Sequence, residues 1–410
     1  GDASGPSGKG FGTGDPISAN ITFCPWLDAP KDDSGVNSTF LVNNTTQGIG
    51  YCTIQEAMNN AMADDVIELS AATFEERVVI DKPLTIQGAT SDSTLYVLDG
   101  ANLVGTGSGI YINSDVTDVT IQNLVVQNFA GTNGNTDAGI YAQGGNNNLT
   151  VQSVAILNNV GGSGFYANGD VDNVLINKVT SEGHTVDARG IVIWNGYKSN
   201  ITITNCTVRN HNCCGIELQD GTASGVTISN NLVENNGDSG MSAVGLTAGA
   251  GPNIISHNTI TNNGRFGLEV KNPDGTGLDA GDGSIVIENN TVTFTASAGM
   301  NTQDHAGIAI FRRAFLNGQG YNDIPTGVVV RNNAVTGYQQ LNPGATTSEG
   351  FGIVVEGVDH IITDNTLENN DIGLQLQGGG HANANYTPDM AGDGDQADGQ
   401  SPDYFGRGNA

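Results

Sequence analysis

Glu217 and Glu269 are the two residues on which chemistry would turn. Each stands second after a glycine, in GIELQ (215–219) and GLEVK (267–271). Hydrolysis of a glycosidic bond needs two carboxyls, one protonated as general acid and one ionised as base. If the two segments are strands two layers apart, their Cα atoms lie roughly 9.6 Å apart, at about 4.8 Å per layer. That is the upper edge of the roughly 6.5–9.5 Å between the carboxyls of an inverting enzyme. Lys271 lies two residues beyond Glu269 on the same strand face, which favours the ionised form of Glu269 and suits it as base. Glu217, nearer an aromatic stretch, is suited to remain protonated as acid. His211 and Asp220, on either side of Glu217, are read as supporting residues. Arg265, Lys271 and Arg312 make a basic cluster in an acidic chain, fit to hold carboxylate or sulfate groups of a ligand. Their plainer role is ion pairing with Glu217, Glu269 or Asp304. Asp304 and His305 lie in a neighbouring turn and join the expected substrate contacts. Tyr141, Tyr166 and Trp194 fall in register upstream, where flat rings could stack on sugars.

These residues meet only if repeated elements carry them. Glycine followed by alternating apolar residues recurs at Gly139, Gly164, Gly190, Gly215, Gly240 and Gly267, in steps of 25, 26, 25, 25 and 27 residues. The same pattern occurs at Gly109, Gly307, Gly352 and Gly373. Such a period marks the coils of a solenoid. In each Gly-led strand the first and third residues after glycine are predicted to point inward and the second and fourth outward. A second strand signature, as in ITITNCTV, VTISNNLV, IVIENNTV and VVVRNNAV, aligns one column: Leu124, Val154, Val179, Cys206, Asn231, Asn258, Asn290, Asn333, Asn365. Inward asparagines are costly unless their amides are bonded, so an asparagine ladder is predicted here. Thr53 and Glu56 form a capping box, which predicts a short helix over 53–63 covering the first coil, followed by strands in DDVIELS, ERVVI and PLTIQG. The longest coils, 267–306 and 307–351, carry insertions expected to wall the face near Glu269.

The stretch GYCTIQEAMNNAMADDVIELSAATFEERVVIDKPLTIQG resembles the opening of pectin-lyase-like β-helix proteins, and the coil pattern extends that resemblance over residues 50–380. It implies an all-β fold, a single right-handed parallel β-helix with an N-terminal capping helix, and leaves the chemistry open. Residues 1–49 lack the repeat and are expected to form an arm; 381–410 are expected to be an irregular acidic tail. The catalytic motifs of pectin methylesterases and polygalacturonases, the calcium-dependent pectate lyase pattern and the DPHE motif of alginate epimerases are missing.

Composition narrows the partners. With 43 Asp+Glu against 14 Lys+Arg the net charge is −29, which repels nucleic acid and acidic membranes. No apolar run reaches the roughly 18 residues of a membrane helix. Cys24 and Cys52 bracket the N-terminal segment as a candidate disulfide, while Cys206, Cys213 and Cys214 cluster on one coil. These features point to a secreted or cell-surface protein, expected to be monomeric. No cofactor is required, and the Asp-rich loops at 279–284 and 393–403 could hold structural Ca²⁺. The expected partner is a polysaccharide, cut by an endo-acting hydrolase acting on an anionic glycan, uronate or sulfated. The first alternative is a lyase, with Lys271 or His211 as base and Arg265 or Arg312 neutralising a uronate. The second is a binding module or adhesin without catalysis.

Overall fold

Short runs of alternating Val and Ile cannot close a core alone, but stacked on equivalent runs they bury one continuous apolar column. In the computed structural model, which describes residues 41–132, 137–249, 251–276, 283–295, 304–312, 324–339, 350–377 and 405–407, the chain winds into a right-handed parallel β-helix, the hand that parallel crossovers take. Among the described residues the Gly-led strands form an eleven-stranded sheet whose spatial order follows the sequence from Val78–Ile80 to Ile372–Gln377. The remaining strands of each coil merge into a second extended sheet. Register is strict: Ile191 pairs with Ile216 and Val192 with Glu217, then Glu217 with Ser242 and Ser242 with Glu269. The inner column, including Ile140, Ile191, Ile216, Leu268 and Ile308, is fully buried.

The leading glycines are required by a close approach at the corner. A Cβ on Gly215 would lie 2.6 Å from the carbonyl of Gly240, and one on Gly240 would lie 2.7 Å from that of Gly267. Backbone of the next coil fills the space, so no side chain fits.

The asparagine ladder is present as expected. Asn231 Nδ2 donates to Asn258 Oδ1 at 2.9 Å, Asn258 to Asn290 at 2.9 Å, Asn290 to Asn333 at 3.0 Å and Asn333 to Asn365 at 3.0 Å. Each Oδ1 also accepts the backbone N–H of the preceding coil's asparagine; Cys206 N caps the row on Asn231 at 2.9 Å. The residue before each rung sits in the left-handed region, Asn230 at φ 57°, Asn289 at 55° and Asn332 at 56°. Asparagine tolerates that conformation better than most residues, which explains the recurring Asn-Asn pair.

At the start, Thr53 caps the helix Ile54–Asn60 by accepting from Glu56 N, and Ile54, Ala57 and Met58 are buried against the first coil. The helix ends before the predicted residue 63, because Ala61 turns extended at ψ 149°. The arm joins the fold earlier than its expected boundary: Val42–Asn44 pairs antiparallel with Ile49–Tyr51 and with Asp65–Leu69. The tail, expected to be irregular, contains the strand Phe405–Arg407, which pairs in parallel with Ile361–Thr363. Cys52 is disulfide-bonded; Cys24, its expected partner, lies outside the described residues, as do residues 279–282 and 393–403 of the proposed Ca²⁺ loops. No helix among the described residues is long and apolar enough to cross a membrane.

Candidate functional site

Because Glu217, Ser242 and Glu269 stack in one outward column, the strands Ile216–Gln219, Met241–Val244 and Phe266–Lys271 bring both carboxylates and Lys271 onto one face. Each carboxylate is tied by the residue just before a corner glycine on the preceding coil. Arg189 Nε donates to Glu217 Oε2 at 2.5 Å, and Ser239 Oγ donates to Glu269 Oε1 at 2.9 Å. Lys271 Nζ lies 2.6 Å from Glu269 Oε1 and donates to Ser242 Oγ at 3.2 Å. Glu217 and Glu269 are only 5% and 3% exposed. Burial raises the Glu217 carboxyl above its ordinary value; Arg189 and Lys271 oppose the rise and Glu269 adds to it. Asp238, in the adjoining turn, is exposed yet crowded by protein, and is raised first by that crowding and next by Glu269.

Arg189 was not among the expected site residues, although its place before Gly190, one coil ahead of Glu217, was a usable signal. The pairing of Lys271 with Glu269 follows the sequence expectation. It also engages the ammonium expected to hold substrate acid groups. Arg265 lies over the ring of Phe266 at 4.8 Å and its Nε donates to the carbonyl of Asp304 at 3.4 Å. Arg312 donates its backbone N–H to Glu356 Oε2 at 2.8 Å. Asp220 occupies the corner after the Glu217 strand at φ 48°; its carboxylate accepts from Gln219 at 3.2 Å and its carbonyl accepts from Lys198 Nζ.

Three expectations are corrected. His211 does not face the carboxylates: it is a rung of a second interior ladder that sequence reading missed. His184 Nδ1 accepts from Asn159 N at 3.1 Å, His211 Nδ1 from His184 N at 3.3 Å, Asn236 Oδ1 from His211 N at 3.2 Å and Asn263 Oδ1 from Asn236 N at 3.1 Å. The two imidazoles stack at 4.7 Å, and burial pushes His211 down to about 3. His305 is also interior, its ring 5.3 Å from Phe294 and 5.6 Å from Tyr338. Tyr141, Tyr166 and Trp194 do line up on the outer face, but not as an open platform. Rings stack along the axis, Tyr111 on Tyr141 at 5.3 Å, Tyr141 on Tyr166 at 5.4 Å and Tyr166 on Trp194 at 6.3 Å. The Arg189 guanidinium lies 4.8 Å from the Trp194 ring centre. Neighbouring rings and the guanidinium thus occupy the faces a sugar would need, and Tyr141 and Tyr166 are 5% and 2% exposed.

The sequence matches the family described as right-handed β-helix region over residues 85–272. No curated protein matches it. Among solved structures, the A-module of a mannuronan C-5 epimerase from Azotobacter vinelandii is 14% identical, covering 87% of this chain and 92% of its own, with a TM-score of 0.46. An alginate lyase from a Paenibacillus species is 15% identical, covering 79% and 95%, with a TM-score of 0.41. An exopolygalacturonase from Thermotoga maritima is 14% identical, covering 79% and 84%, with a TM-score of 0.37. Likeness at this level concerns the winding of the chain and carries no activity across.

Proposed function

We propose that this protein, a right-handed parallel β-helix of the pectin-lyase-like type, is an endo-acting glycoside hydrolase that cuts a polysaccharide at the Glu217–Glu269 pair. The observation that supports it is the unequal setting of two carboxylates in one column. Glu217 is held above its ordinary value by burial, the direction that suits a general acid, while Glu269 lies 2.6 Å from the Lys271 ammonium, so the two carboxylates face different partners. The geometry favours hydrolysis over elimination, because both bases considered for a lyase are poorly placed. His211 is inside the coil, and an ammonium clasped by a carboxylate is no ready proton acceptor. Arg265, beside Asp238, is the cation best placed for an acidic group of the glycan, and extracellular action accords with such a substrate.

The test is a screen of anionic plant and marine polysaccharides, read by new reducing ends. Glu217→Gln and Glu269→Gln should each lower turnover by about a thousandfold or more while polymer binding persists, since a positioned acid or base contributes on the order of 10²–10⁴-fold. Near-normal turnover in either variant removes that residue from the mechanism. Products that absorb as unsaturated uronates establish a lyase instead.

A second reading is favoured by the neighbours of the two carboxylates. Val192, Ala309 and Val354, outward in the same column, are fully buried. On that reading the face is covered by the chain's own side chains and the ion pairs are structural. Glutamine variants would then lose thermal stability in parallel with any loss of binding.

A further inference from the structure

Above the Arg189–Glu217 pair lies a group of residues that the proposed hydrolysis does not use. The turn entering the strand Ile216–Gln219 carries adjacent cysteines, Cys213 and Cys214, both with free thiols. Their sulfurs are 3.8 Å apart. One coil further on, the equivalent turn carries Asp238, and a carboxylate oxygen of Asp238 and both sulfurs lie within 4.8 Å of one another. The backbone fixes this meeting. Asp238 N donates to the carbonyl of Cys213 at 3.2 Å, and Cys213 N to that of Ala188 at 3.2 Å, so the two turns are stitched into the stack on either side.

We propose that Cys213, Cys214 and Asp238 form a binding site for a thiophilic divalent cation of the zinc type. The separation of the sulfurs is the first argument. Two thiolates on one tetrahedral zinc, each at about 2.3 Å, stand about 3.8 Å apart, which is the spacing found without any ion. A disulfide would require about 2.05 Å, so the pair is two thiols in hydrogen-bond contact, at a spacing that a chelate would not have to change. The ligand set is the second argument. Two soft thiolates with one hard carboxylate suit zinc, whereas calcium and magnesium take oxygen alone and copper(I) prefers sulfur alone. Access is the third. Cys214 is buried and Cys213 half-buried, but Asp238 is exposed, so an ion can enter from its side and the carboxylate can swing inward to close on it. Three protein ligands leave a fourth position for water. Glu217 and Glu269 nearby are already paired with Arg189 and Lys271, so the attraction for a cation rests on the two thiolates and Asp238.

This inference stands apart from the hydrolase reading, and its test has no activity readout. The full chain, reduced and stripped of metal, is titrated with Co²⁺ and then with Zn²⁺. Expected is one equivalent of Co²⁺ with a thiolate-to-cobalt charge-transfer absorption, abolished when Zn²⁺ displaces it. Cys206→Ser, at the free thiol outside the cluster, should leave both unchanged. Cys213→Ser and Cys214→Ser should each remove the charge-transfer band or halve it with affinity falling about a hundredfold. Asp238→Asn, an exposed position where misfolding is not a concern, should weaken binding by about tenfold or more, the scale of losing one supporting contact to a metal. Absence of any charge-transfer absorption in the wild type overturns the proposal. So does binding that survives in both cysteine variants, or a chain whose Cys213 and Cys214 are joined as a disulfide that reductant does not open.

Discussion

At the scale of single residues, the candidate site is a set of buried charges each held by an opposite one. Arg189 illustrates what such pairing implies. Its Nε is 2.5 Å from Glu217, and both side chains are almost wholly withdrawn from water. Arg189→Met removes the partner and strands the carboxylate, so a loss of about 3–5 kcal/mol is expected at neutral pH, the usual cost of orphaning a buried charge. The loss should shrink as pH falls, because burial already raises the Glu217 carboxyl above its ordinary value and protonation removes the stranded charge. Adding Glu217→Met to the first substitution should recover much of the stability, since an apolar pair of similar volume needs no counter-charge. Denaturation midpoints of the two single variants and the double variant check this; additive losses would show that the two groups do not depend on one another. Glu217, Glu269 and Lys271 were legible from the sequence because a strand fixes which neighbours share a face. Arg189 could be placed near that face by its position before Gly190, but not paired with Glu217, because the residue before the corner glycine belongs to a turn and its aim is set by the next coil.

At the scale of elements, two polar ladders run through the interior, and only one was foreseen. Asn290→Leu should destabilise by about 1–3 kcal/mol, since Asn258 and Asn333 each lose a bonded partner while remaining buried; an unchanged urea midpoint would refute the ladder's energetic role. Three buried histidines, two of them rungs of the second ladder, make stability depend on acid. His211 is held near 3 and His360 near 4, and His184 well below its ordinary value, burial being the main cause in each. Unfolded histidine titrates near 6.5, so between about 3 and 6.5 the unfolded chain binds protons that the folded chain refuses. Stability therefore falls as pH drops through that window. His211→Asn should keep the ladder, because Asn236 and Asn263 occupy equivalent rungs, and should flatten the decline between pH 6.5 and 4.5. A decline of unchanged steepness would assign it to other groups. The asparagine column could be read from its strand signature. The histidines could not be placed by residue type, because a turn histidine looks alike whether it points in or out. What decides is the left-handed residue before it: Asn210 precedes His211 as Asn235 precedes Asn236 and Asn262 precedes Asn263. That pairing, five residues after the first ladder's own, was the readable clue.

At the scale of the whole molecule, charge and repetition dominate. A net charge of −29 repels itself, and shortening the screening length from about 30 Å at 0.01 M salt to about 8 Å at 0.15 M should raise the thermal midpoint. A midpoint that falls with salt would mean that attractive pairs outweigh the repulsion. Repetition itself is uneven: bonded rungs of the asparagine row are separated by 27, 32, 43 and 32 residues along the chain. The amide bonds do not register these detours. Each asparagine is located by the oxygen of the coil beneath it, however far the chain has wandered in between, and the apolar half of the column has no such pin. A lineage carrying this fold could thus lengthen, replace or duplicate loops between rungs while the coils stayed aligned, and the row of amides would act as the conserved gauge against which new loop sequence is tried.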